Sequence, residues 1–120
     1  DNEPKYFPGA ASLHEELDKT VLIVLRDGRN LIGTVRSYDQ FSNVVLEDTK
    51  ERHFVDNIYG DIPLGLYIVR GDSMVLMGEI DLDEESTFLK KVSAEEIVLL
   101  QAEKSEEIHH SLDWDFGDQN

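Results

Sequence analysis

Five β-rich stretches separated by short polar breaks fill residues 21–80 of the chain. Val21-Leu22-Ile23-Val24-Leu25 is an unbroken apolar, largely β-branched run, which predicts a buried strand. Arg26-Asp27-Gly28-Arg29 holds an Asp-Gly pair, the composition of a tight type I′ hairpin turn, because Gly takes positive φ at little cost. Asn30 to Tyr38 reads as the returning strand. Gly33 inside it predicts a sharp bend, of the kind that lets a few strands close into a small barrel. Val44 to Val55 is a long strand, apolar first and then charged from Glu47 to Arg52. Leu64 to Val69 and Met74 to Ile80 are two more, joined tightly by Arg70-Gly71-Asp72-Ser73. Asp39 to Asn43 and Asp56 to Pro63 read as loops.

Helical signals flank this region. Ser12-Leu13-His14-Glu15 is a capping box, with Leu13 and Leu17 on one face of a short helix ending near Asp18. Ser93-Ala94-Glu95-Glu96 is a second, with Val92 and Ile97 placed as a hydrophobic staple. It predicts a helix over about 93–109, whose Ile97-Val98-Leu99-Leu100 cluster is expected to dock. The organisation expected is a flexible lead at 1–11, one domain at 12–81 and an acidic extension at 82–120, with 81–91 as a linker. The expected fold is mainly β: a short N-terminal helix, a strongly bent five-stranded antiparallel sheet forming a small open barrel, and a C-terminal helical extension.

Charge changes the picture. The net charge is −15 over 120 residues, but it is unevenly spread. Residues 1–78 carry 13 acids and 8 bases, whereas residues 79–120 carry 13 acids and 3 bases. Neither part is basic, so the chain is not built to hold nucleic acid by bulk electrostatics. The chain has no cysteine, which excludes disulfides and thiolate metal sites and fits a reducing compartment. No apolar run approaches the roughly 20 residues that span a bilayer, so no membrane role is expected. The first residues, Asp1-Asn2-Glu3-Pro4-Lys5, lack the apolar core of a signal peptide.

Two loops carry candidate chemistry. Asp39-Gln40-Phe41-Ser42-Asn43 and Arg70-Gly71-Asp72 together hold an aromatic ring, a carboxamide and a guanidinium, a minimal kit for gripping one unpaired base. Phe41 offers a stacking face, worth about 1–3 kcal/mol per base, and Arg70 can cover the opposite face. The Asn43 carboxamide presents NH₂ and C=O side by side, which matches the O4 acceptor and N3–H donor of uracil. Cytosine presents the reverse order. Asp39 is placed to hold that amide in its reading orientation, and Gly71 leaves room for the backbone to approach the base. Such readout depends less on phosphate neutralisation than duplex binding does. The plainer reading is that both loops are turns, since Asp and Asn favour loop geometry. Arg26, Arg29 and Arg36 read as solvated or as contacts with other chains.

Other constellations carry little. His109 and His110 point to different helix faces and have no third ligand at a suitable spacing. Asp81, Asp83 and Glu85 lack the Gly and Glu of a calcium loop. Asp115-Phe116-Gly117 stands without the rest of a kinase. No nucleophile and base are placed for catalysis, so no enzymatic activity, metal or cofactor is expected. Trp114 and Phe116 lie in an acidic tail that reads as loosely ordered or as a docking segment.

Taken together the strands and loops resemble the Sm and Sm-like (LSm) family. One family motif is matched by residues 21–29, then Leu31-Ile32-Gly33, then Asp39 to Leu46, with Glu51 beyond. The other is matched by Ile68-Val69-Arg70-Gly71-Asp72-Ser73-Met74-Val75-Leu76-Met77-Gly78. The resemblance runs from about Ser12 to Ile80. It implies the Sm fold, with uridine contacts at Asp39, Phe41, Asn43, Arg70, Gly71 and Asp72. It also implies that the strands matched by Leu64–Val69 and Met74–Ile80 lie at opposite sheet edges and pair with different neighbours. Both are apolar, without Lys or interior Pro to block pairing. Pro8 to Leu13, Tyr59 to Pro63 and Gly78 to Leu82 are similar to the cytoplasmic LSm ring, a heteroheptamer associated with mRNA decapping and 5′-to-3′ decay. That similarity implies six other LSm subunits, a Pat-type decapping activator, P-body residence, and the oligoadenylated or U-tract 3′ end of deadenylated mRNA as ligand. It further implies that the tail folds back across the ring face. A structural subunit working through its tail, or membership of a nuclear ring, are the alternatives.

Overall fold

The computed structural model describes residues 17–82 and 88–117, with side chains through His110. The described elements are β1 (Thr20–Leu25), β2 (Asn30–Tyr38), β3 (Val44–Val55), β4 (Ile58–Val69), a short 3-10 turn (Gly71–Ser73), β5 (Met74–Glu79), β6 (Lys90–Val92) and the helix α1 (Ala94–Gly117). The strand order is β5-β1-β2-β3-β4-β6. The described residues form two compact units, one of residues 17–52 with 62–82, the other of His53–Asp61 with residues 88–117. The chain of β3 and of β4 runs from one to the other. The expected helix at Leu13–Asp18 falls almost wholly outside the described residues.

The first unit is a strongly bent open sheet. β4 and β5 are four strand spacings apart in the order β5-β1-β2-β3-β4, yet only the compact turn at Arg70–Ser73 joins them. In a flat sheet they would lie about 19 Å apart. A tight 3-10 turn covers about 10 Å at most. The sheet must therefore curl until its edges approach. The core shows the result: Val69 of β4 and Met77 of β5 join one buried cluster with Val21, Ile23, Leu25, Leu31, Val35, Val44 and Leu46.

The devices that bend it are readable. Gly33 supplies the expected bend. Across it the β2–β3 register slips from Ile32↔Lys50 to Thr34↔Glu47, so β3 carries the extra residue of a bulge. Asp48 takes a φ of 54° there. A Cβ on Gly33 would come within 3.1 Å of Leu46 Cβ and of Thr49 Oγ1, so glycine lets β3 pack closely at the bend. A second slip, between Val35 and Ser37, adds curvature at the end of β2.

Four expectations are corrected. In β1 only Val21, Ile23 and Leu25 are fully buried, whereas Leu22 and Val24 are half-buried, because a strand has two faces and the core fills one. The β1–β2 turn is not type I′. Gly28 has φ 90°, but Asp27 is not among the positive-φ residues; Gly28 N–H donates to Leu25 O at 2.9 Å and Leu25 N–H to Arg29 O at 2.9 Å. That is a longer hairpin loop closed by a left-handed glycine. The loop expected at Asp56–Pro63 is mostly strand, since β4 begins at Ile58. Pro63 therefore does lie inside β4, where it is exposed, and Gly65 follows with φ 74°. Finally, the linker holds a strand: Lys90–Val92 pairs in parallel with Ile58–Gly60.

The second unit is built on that pairing. The Ser93 hydroxyl accepts from Glu96 N–H at 3.1 Å, as the capping box requires, and α1 then runs to Gly117, past the expected end near His109. Ile97 is fully buried and Leu100 half-buried, while Val98 and Leu99 stay exposed, so the apolar cluster docks through one helix face rather than through all four residues. Gly60 makes the room: a Cβ there would lie 2.6 Å from both Cβ and Cγ2 of Ile97. Among the described residues no helix is long and apolar enough to cross a membrane.

Candidate nucleic-acid interface

The β2–β3 loop is organised by one carboxylate. Asp39 Oδ1 accepts from the backbone N–H of Phe41 at 2.8 Å and of Asn43 at 3.0 Å. Its other oxygen accepts from the Asn43 side-chain Nδ2 at 2.8 Å. The loop closes through Asp39 N–H to Asn43 O and Ser42 N–H to Asp39 O, both at 3.1 Å, with Ser42 in the left-handed region at φ 62°. These hydrogen bonds, the Asn43 side-chain bond first, hold the Asp39 carboxyl below its ordinary value although it is fully exposed.

The second loop locks the other end of the amide. Gly71 N–H donates to Asn43 Oδ1 at 2.8 Å, across 28 residues of sequence. The orientation of the amide follows from these two bonds. Nδ2 must face the carboxylate, which only accepts, and Oδ1 must face the Gly71 N–H, which only donates. A flipped amide would oppose like to like at both ends. One N–H and one lone pair of Asn43 are thus used inside the protein, leaving one of each for a ligand.

The role expected for Gly71 is corrected. The space its missing Cβ leaves is taken by the first loop, not kept for a base: a Cβ there would strike Phe41 O and come within 3.1 Å of Ser42 C and O. Glycine is required because the two loops touch backbone to backbone. Phe41 is 71% exposed, so its ring is available for stacking. Arg70 is also exposed, and its Nη2 lies 3.4 Å from Asp72 Oδ2, a loose surface pair of little energetic weight. Asp39, Phe41, Asn43, Arg70, Gly71 and Asp72 are thus brought into two loops that contact each other.

The three arginines read as solvated are engaged within the first unit. Arg29 donates to Asp27 Oδ2 at 2.8 Å, to Glu51 Oε1 at 3.3 Å and to the Tyr67 hydroxyl at 3.2 Å, tying the β1–β2 turn to β3 and β4. Arg36 bonds Asp18 and Glu47. Arg26 N–H donates to Ser73 O at 2.9 Å and its Nε to Asp72 O at 2.6 Å. Asp27 apart, which lies two residues before Arg29, no local sequence pattern announces these partners, which lie 11 to 47 residues away. Among the described residues no cluster of three His, Cys, Asp or Glu side chains is placed to hold a metal.

The sequence match agrees with this geometry. A family model for the LSM domain matches residues 11–79. The LSM1-LSM7 complex subunit lsm1 of Schizosaccharomyces pombe is 48% identical over 104 residues, covering 84% of this chain and 74% of that protein. A heptameric archaeal Sm protein is similar in structure with a TM-score of 0.51 and 32% identity, over 60% of this chain and all of that one. The Sm protein of Pyrococcus abyssii in complex with a uridine heptamer gives 0.50 and 29%, over 58% and 94% of the two chains. With the domain matched across more than half its length, the chain belongs to the LSM family of Sm-like proteins.

Proposed function

We propose that this chain is a non-enzymatic, RNA-binding subunit of a cytoplasmic seven-membered LSm ring. It assembles with six other LSm subunits and binds the 3′ end of deadenylated mRNA, oligoadenylated or U-tract. Through a Pat-type activator it promotes decapping and 5′-to-3′ decay in P-bodies. The observation that carries the RNA-binding part is the Asn43 amide held at both ends, by Asp39 and by Gly71 N–H, beside an exposed Phe41 ring. Its remaining N–H and lone pair match uracil O4 and N3–H and oppose cytosine. The similarity to a named LSM1-LSM7 subunit and to a heptameric Sm protein supports the ring. So do the edge strands: Leu66 and Ile68 of β4 and Val75 of β5 are each more than 60% exposed, as unpaired apolar edges are in an isolated subunit.

The test is crosslinking of the assembled ring to oligouridine with Phe41→Ala, Asn43→Ala and Arg70→Ala. Phe41→Ala alone is expected to weaken binding by about 1–3 kcal/mol. Unchanged affinity with all three substitutions together would leave direct readout by this subunit without support.

A second reading, a structural subunit acting through its tail, is favoured by the exposed Val98 and Leu99 on an acidic helix. Deleting residues 93–120 separates the two: loss of partner recruitment with retained RNA binding selects the second.

A further inference from the structure

We infer that Arg26 is a positioning residue for the base site. By holding the Asp72 carbonyl it fixes the Gly71–Ser73 turn where the Gly71 N–H can orient the Asn43 amide. The inference rests on the reading of that site as a base pocket.

Internally the turn has two bonds of its own, Ser73 N–H to Arg70 O at 3.0 Å and Met74 N–H to Gly71 O, and Arg70 at its start offers no side-chain cap. The Arg70–Asp72 pair is exposed and loose. Apart from the strand ladder of β5, the turn is anchored from outside on two sides. On one side the first loop accepts the Gly71 N–H through Asn43 Oδ1. On the other Arg26 donates twice, from its backbone to Ser73 O and from Nε to Asp72 O. The Nε bond is the shorter of the two, at 2.6 Å, and comes from a charged donor.

The consequence is specific. Stacking on Phe41 needs only an exposed ring, which Arg26 does not touch. Base discrimination needs a fixed amide, and the amide is fixed at its oxygen end only through Gly71. Loosening the turn lets the Asn43 amide rock, so the loss falls on the preference for uracil over cytosine more than on binding as a whole. Arg26 adds an orienting contact that the backbone bond to Ser73 does not duplicate, because Asp72 O is one residue nearer Gly71.

The experiment uses the assembled ring, with oligonucleotides carrying 5-iodouridine or 5-iodocytidine, whose halogen leaves the reading edge intact. The readout is the ratio of photocrosslinks at Phe41, located by mass spectrometry, with assembly checked by native mass spectrometry. Arg26→Ala is expected to lower the uridine-to-cytidine ratio about three- to tenfold, the range one hydrogen bond is worth. Arg26→Gln keeps an N–H without the charge and is expected to retain the preference. An unchanged ratio in Arg26→Ala, or rescue by Arg26→Lys but not by Gln, would overturn the inference, the second outcome assigning the charge to phosphate instead. Should Arg26→Ala not assemble, the comparison of Gln with Lys decides. Absence of a selective Phe41 crosslink in the unaltered ring would remove the base-site reading itself, and this inference with it. A selective crosslink that survives Arg26→Ala removes only the role of Arg26.

Discussion

Asn43 is the residue on which the candidate site turns, because two opposite partners fix its amide and leave a defined pattern for a ligand. Asp39 makes that arrangement pH-dependent, and the sign follows from its lowered pKa. A carboxyl whose folded value lies below its unfolded value stabilises the folded loop at all pH above the unfolded value. That stabilisation is lost as pH falls through the lower, folded value. The amide signals of Phe41, Asn43 and Gly71 are therefore expected to stay constant from neutral pH down to the ordinary carboxylate value of 3.8 and to shift together below it. Titration followed by NMR checks this, and a midpoint above 3.8 counts against the network. Gly71→Ala is the steric counterpart. Its Cβ meets backbone atoms of Phe41 and Ser42, which cannot swing aside as a side chain would. Thermal unfolding is expected to report a loss of about 1–3 kcal/mol, the usual cost of overpacking, with the Asn43–Gly71 bond broken in its NMR signature. The residue types of this site were legible from the two motifs. The reason for Gly71 was not, because the atoms it makes room for lie about thirty positions away in sequence.

At the scale of elements, the second unit rests, among the described residues, on a short parallel strand and on the packing of buried Ile97. Ser93→Ala removes the hydroxyl that caps Glu96 N–H and is expected to cost α1 about 1 kcal/mol. Gly60→Ala is expected to cost more, since Ile97 Cβ and Cγ2 occupy the place of the new methyl. Hydrogen exchange checks the order: α1 amides near Ile97 exchange faster in Gly60→Ala than in Ser93→Ala, while β1 and β2 amides keep their protection. Equal exchange in the two variants would argue against the packing of Ile97 on Gly60. The capping box was visible as a local pattern. β6 was not, because Lys90-Lys91-Val92 has no strand composition; it is a strand because Lys90 N–H finds Asn57 O at 2.8 Å and the edge of β4 lies open beside it. For the same reason the first half of β4 read as a loop: Gly60 and Pro63 oppose strand propensity, and tertiary pairing overrides it.

For the whole molecule the governing quantity is charge. Residues 93–120 hold eight acids and one base in a chain of net −15. Removing them leaves the two loops of the first unit intact and takes away much of the repulsion between the subunit and a phosphate backbone. RNA affinity of the ring is expected to rise at low salt on that deletion. The gain is expected to vanish toward 1 M salt, where screening shortens electrostatic reach to about 3 Å. Binding measured across a salt series checks this, and a gain that persists at high salt would point to a steric rather than an electrostatic action of the tail.

The linear order of residues determined the number of strands in the first unit, the bend at Gly33, the capped C-terminal helix and the chemistry held by Asp39, Phe41, Asn43 and Arg70. Each depends on neighbours within a few positions: alternation, turn composition, a missing Cβ, a cap three residues from its amide. Tertiary structure alone decided that Gly71 is a clearance for the Phe41–Ser42 backbone and Gly60 for Ile97, that Lys90–Val92 is a strand, and that Arg26 and Arg29 bind partners far along the chain. Those outcomes depend on which distant atoms arrive at the same place: the closing of the curved sheet joins the loops of the first unit, and the pairing of Lys90–Val92 with Ile58–Gly60 together with the packing of Ile97 on Gly60 builds the second.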